Sequence, residues 1–118
     1  MSNDAALEME PLIGEVLSAS TELCASFEVV GRTDAWLQVM KGTLNFAYPL
    51  SEDPHPVLDA VLTALPGAAV SAWEAGTYAT VLFDPASPPL VAATADRILG
   101  ELFKLGDYSI YGAIEDMG

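Results

Sequence analysis

The chain has 118 residues, 52% of them hydrophobic, and sets 17 Asp and Glu against 4 Lys and Arg for a formal net charge of -13. That length fits one domain over residues 1–118. The charge opposes contact with a nucleic-acid backbone or an anionic membrane surface, and no apolar run approaches the ~20 residues that cross a bilayer.

The opening Met1-Ser2-Asn3-Asp4 has neither the basic residues nor the apolar core of a cleaved signal. Cys24 is the only cysteine and excludes an internal disulfide. Both point to a cytoplasmic protein. Residues 1–10 read as a loose segment. From Pro11 to Ala25, the residues Leu12, Ile13, Val16, Leu17, Leu23 and Cys24 gather on one helical face, with Glu15, Ser18 and Glu22 largely opposite. Pro11 suits a first helical position, where a missing N–H costs nothing; a start further back, through Leu7 and Met9, is the alternative.

Three strands follow at Phe27–Val30, Ala35–Met40 and Thr43–Tyr48, separated by Gly31-Arg32-Thr33-Asp34 and Lys41-Gly42, and read as an antiparallel meander. Trp36, Gln38 and Met40 share one face of the second strand, and Leu37 and Val39 the other. In the third strand Leu44, Phe46 and Tyr48 oppose Thr43, Asn45 and Ala47. One side of this sheet keeps polar members, so helices are expected on the richer side only.

Asp53 then caps a second helix with Pro54 in its first turn; Val57, Leu58, Val61, Leu62 and Leu65 form its apolar face, and Pro66-Gly67 closes it. Strands at Ala68–Trp73 and Thr77–Phe83 flank Glu74-Ala75-Gly76. Ser87 and Pro88 open a third helix along Leu90, Val91, Thr94, Ile98, Leu102 and Leu105, with Phe103 beside them and Gly106 as its stop. In a last strand Tyr108, Ile110 and Gly112 alternate with Ser109, Tyr111 and Ala113, and residues 115–118 form a tail. The reading is an α+β domain of order α-β-β-β-α-β-β-α-β, with a mainly antiparallel sheet and helices on one face.

Reactive chemistry is hard to assemble from this inventory. His55 stands between two prolines with no nucleophile pattern and no His or Cys companion at ligand spacing. Cys24, on the apolar side of the first helix, reads as a small core residue. Glu52-Asp53 and Glu115-Asp116 lack the spacing of a calcium loop, and the glycines stand singly at turns and helix ends instead of forming a phosphate cradle. No catalytic residue, cofactor or metal ligand is assigned, and a non-enzymatic role is expected. Aromatic residues remain: Trp36, Phe46, Trp73 and Tyr78 all fall in strands, and those sharing an open sheet face would make a patch for a partner or a second copy.

The order of elements over residues 11–105, with the small size and the acidity, resembles the type III secretion chaperone-like superfamily. The closing strand at Tyr108 to Ile114 departs from the simplest helix-ended pattern and looks more like the broader bacterial relatives of those chaperones. The resemblance implies a homodimer and an apolar sheet surface that receives an extended client peptide. No family motif is matched residue by residue, so no functional residue is transferred. The expected role is a protein- or peptide-binding module, and the alternative is an acidic immunity-type inhibitor of a basic toxin or nuclease, which salt dependence would separate from it.

Overall fold

A computed structural model describes residues 5–105 and 108–116. Apolar alternation and helical spacing sort them into α1 (Ala5–Ser18), β1 (Leu23–Val29), β2 (Arg32–Met40), β3 (Thr43–Ala47), α2 (Pro54–Leu62), β4 (Ala69–Glu74), β5 (Tyr78–Leu82), α3 (Pro88–Phe103) and β6 (Ile110–Asp116). The fold is α+β in the expected order. Its strands make one six-stranded sheet, β4-β5-β3-β2-β1-β6, in which every neighbouring pair is antiparallel.

Alternation decides which side of the sheet is covered. Phe27, Leu37, Val39, Leu44, Phe46, Ala79 and Val81 point the same way and are buried. The helices lie over them: α1 packs on α3, β1 and β6, while α2 packs on α3 and β4. Met9, Ile13, Leu58, Ile98 and Leu99 supply the helical half of this core and are fully buried. At ~1.5–3 kcal/mol per buried side chain, this shared interior is the main force ordering the two layers.

The first helix differs from the expected Pro11–Ala25. It begins six residues earlier and ends at Ser18, so residues 5–10 are helical and Leu23, Cys24 and Ala25 belong to β1. The stripe that docks is Ala5, Met9, Ile13 and Val16, all buried, and it runs straight past Pro11. An interior proline costs about 3 kcal/mol; here it lies on the exposed side of α1, and burial of the stripe outweighs it. The run Ser18-Ala19-Ser20 then breaks the helix. From Leu23 onward, pairing with strands on both sides takes over.

Other boundaries move less. Thr77–Phe83 contracts to Tyr78–Leu82, Ala68–Trp73 becomes Ala69–Glu74, and β2 starts at Arg32. Between Glu28 and Val29 the β1–β2 register jumps: Val29 faces Arg32 but Glu28 faces Trp36, so three residues of β2 bulge out near the hairpin tip. Lys104 ends α3 in a left-handed conformation, φ 54°; Gly106, the expected stop, lies outside the described residues. Glu115 and Asp116, expected in a tail, complete β6, and Met117 and Gly118 also lie outside.

Two glycines are fixed by space. A Cβ on Gly112 would lie 2.7 Å from Leu12 Cδ1 and 2.9 Å from the Phe27 ring, so the bare backbone of β6 is what lets α1 reach β1 across it. At Gly67, with φ +66°, a Cβ would meet the Asp84 carboxylate at 2.3 Å, and Asp84 N–H donates to the Pro66 carbonyl at 2.8 Å. That turn ties the end of α2 to the exit of β5.

Candidate functional site

Among the described residues no helix lies on the reverse of the sheet. Its side chains form rows across the strands, and the central row is Ala113, Ser26, Gln38, Asn45, Thr80 and Ala72. Within it Asn45 Nδ2 donates to Gln38 Oε1 at 3.2 Å, and Thr80 Oγ1 donates to Asn45 Oδ1 at 2.9 Å. Three strands are thus stitched by side-chain bonds on a face that water reaches. This is how a polar row can sit in the middle of a sheet without leaving amides unpaired.

Aromatic groups flank that row on one side. Glu28 lies directly opposite Tyr111 on β6 and Trp36 on β2, and Tyr78 lies opposite Ala47 and Glu74. Tyr111 is 67% exposed. A cavity of about 260 Å³ opens here, lined by Ser26, Glu28, Trp36, Gln38, Tyr111 and Ala113. On the other side of the row Leu82, half exposed, faces Thr43 and Ala69.

The four aromatic residues singled out from sequence therefore divide. Trp36 and Tyr78 belong to the open face. Phe46 is fully buried beneath the helices, and Trp73 opposes Ala79 on the covered side, its ring edge-on to Tyr48 with centroids 6.0 Å apart. Strand alternation assigned Phe46 to the side of Leu44 and Tyr48, which is the buried side. For Trp73 the bulge between Val70 and Ala72 shifts the register, and no local pattern announces that. Tyr111 and Glu28 were not chosen from sequence. Their signal was available in the last strand, where Tyr111 alternates with Ile110 and Gly112, but pairing of that strand with β1 is a long-range fact.

Cys24 sits on β1 with its side chain toward the open face, not on a helix. It is nevertheless 2% exposed, and its Sγ lies 3.8 Å from Ser26 Oγ. His55 has a structural job: Asp53 caps α2, its Oδ1 accepting from His55 N–H at 2.9 Å and contacting His55 Nδ1 at 2.6 Å. The backbone bond first, and then the ring contact, hold the Asp53 carboxyl below its ordinary range. Arg32 grips Asp34 through two bonds of 3.1 and 2.8 Å and lies over the Phe103 ring at 5.3 Å. The bond to Asp34 lifts Arg32 further above its usual value and lowers that of Asp34. Among the described residues no group of three or more His, Cys, Asp or Glu could hold a metal ion.

The two rims of the sheet differ as well. β4 is bulged at Ser71, whereas β6 pairs with β1 in unbroken register over seven residues. Val30 N–H donates to the Ser109 carbonyl at 3.0 Å. Alternation from that pair turns the main-chain groups of Ile110, Gly112 and Ile114 away from β1. Ile110 N–H meets Glu8 Oε1 of α1 at 3.4 Å, so Gly112 and Ile114 are the positions where this rim can receive another strand. What such a surface offers is contact: aromatic area, hydrogen-bonding groups and a strand edge.

No protein-family model, curated protein or solved structure matches the chain. No helix among the described residues is long and apolar enough to cross a membrane.

Proposed function

We propose that this protein is a non-enzymatic binding module that holds an extended segment of another polypeptide against its open sheet face, in the manner of the secretion-chaperone-like proteins its element order resembles. The observation that supports this most directly is a sheet covered by helices on one side only, whose bare side carries Trp36, Tyr78 and Tyr111, the last of them on the regular edge strand β6 itself. Aromatic residues give large contact area at low side-chain entropy, and a strand edge supplies main-chain bonds to any sequence. The module works in the cytoplasm as a homodimer in this reading.

The test is capture from native cytoplasm with tagged protein, comparing the wild type with a Trp36→Ala, Tyr78→Ala double variant that retains its thermal unfolding midpoint. Loss of the wild-type partner from the variant is the expected result. Equal recovery by both proteins, or a wild type that captures nothing above background, counts against the reading.

The inhibitor alternative draws on one feature, the separation of charge. No Lys or Arg occurs before Arg32 or after Lys104, so every charged residue of α1, β1 and β6 is acidic. It predicts one tight cationic partner whose binding collapses between low and moderate salt.

A further inference from the structure

Glu28 is placed unusually for a carboxylate on a sheet. Its two cross-strand neighbours on the open face are aromatic, Tyr111 on one side and Trp36 on the other, at the ~4.5–5.5 Å between Cβ atoms that such pairs adopt. The three side chains line the same cavity, of about 260 Å³, together with Ser26, Phe27, Gln38 and Ala113. Among the described residues the Glu28 carboxylate makes no hydrogen bond or ion pair. The one basic residue in the β1–β2 hairpin, Arg32, is occupied by Asp34 and Phe103.

A carboxylate between two aromatic side chains is the complement of a cation with a hydrophobic stem. The carboxylate gives a charge-assisted hydrogen bond, and the rings add a cation–π attraction. We infer that Tyr111, Glu28 and Trp36 form a clamp for a lysine or arginine side chain of an extended partner segment that lies along the β6 edge. The inference rests on the binding-module reading and names the chemistry of the partner.

Geometry and charge support that occupant. A segment bonded to Gly112 and Ile114 lies one strand spacing outside β6, ~4.8 Å, and a long side chain from it crosses β6 toward β1. The residue in its path is Ala113, the small member of the open-face series Tyr111, Ala113 and Glu115. The rim itself is acidic, with Glu8, Glu115 and Asp116 and no basic residue on α1, β1 or β6. A second copy brought to this edge would set carboxylates against carboxylates, so this edge does not suit a second copy.

Calorimetric titration with two acetylated, amidated eight-residue peptides tests the clamp, one alternating Thr and Lys, the other Thr and Gln, at about 0.15 M salt. The Lys peptide should bind at least about tenfold tighter than the Gln peptide to the wild type, and Glu28→Gln should erase that difference. Glu15→Gln removes the same charge from the exposed side of α1 and should leave Lys-peptide binding within about twofold.

Equal losses in Glu28→Gln and Glu15→Gln would show diffuse attraction and overturn the clamp. Equal binding of the two peptides to the wild type would overturn it too, while leaving the open-face reading intact. Absence of Lys-peptide binding at millimolar concentration also overturns the clamp; the broader reading then stands or falls on the Trp36, Tyr78 capture experiment.

Discussion

The two faces of the sheet are built from alternate residues of the same strands, yet they solve opposite problems. On β2 and β3, Leu37, Val39, Leu44 and Phe46 are buried under helices. One residue away, Asn45 donates to Gln38 and accepts from Thr80 in reach of water. The covered face gains stability from burial and tolerates no change of volume. The open face keeps its polar groups mutually satisfied, with Tyr111 exposed and Trp36 and Tyr78 partly buried. An aromatic residue in a strand therefore has no fixed meaning: Phe46 and Trp36 occupy neighbouring strands and face opposite ways.

The sharpest way to break this contrast is truncation on each side. Phe46→Ala should cost about 3–5 kcal/mol in urea unfolding, and Trp36→Ala less than about half of that, because that side chain is only partly buried. Similar losses from the two would show that the open face is a second core. Gly112→Ala comes next, at about 1–3 kcal/mol, because the new methyl collides with Leu12 and Phe27 on the covered side. A neutral result would mean that α1 is free to shift on β6.

Asn45→Ala removes the middle of the polar row and should cost about 0.5–1.5 kcal/mol. A double-mutant cycle with Thr80→Val should recover a coupling, and strict additivity would show that the row does not act as a unit.

The smallest effect is expected outside the sheet, at the cap of α2. Asp53 has a lowered folded pKa, so its contribution is fully present above the unfolded value of about 3.9 and is lost as pH falls through the folded one. Asp53→Ala should therefore be less stable than wild type at pH 7, with the gap closing below about pH 4. A gap that persists unchanged to pH 2 would assign the cap's effect to something other than the carboxylate charge.

Much of this architecture was legible locally. Asp53-Pro54 and Ser87-Pro88 mark where α2 and α3 begin, and alternation in β2 and β3 divides each strand into two faces without saying which of them is buried. What was not legible depends on distant parts of the chain. The apolar residues Leu23 and Cys24 fit a helical period that extends from Ile13, and only the demand of β2 and β6 for a partner pulls them into a strand. Pro11 reads as a helix start unless the docking of Met9 on the other side of it is known. The strands mark Trp36, Phe46, Trp73 and Tyr78 alike as candidates and do not separate the two that face outward from the two that do not, and the row through Glu28 and Tyr111 exists only because the last strand pairs with the first.

That pairing sets the timetable of assembly. Leu23 meets Asp116 and Val29 meets Ile110, so β1 leaves the ribosome long before its second neighbour is translated. Four strands can already be in place on its other side while one flank of the nascent layer stays uncovered. Glu22 and Glu28 stand on that temporary flank, where their charge deters sideways association between unfinished chains.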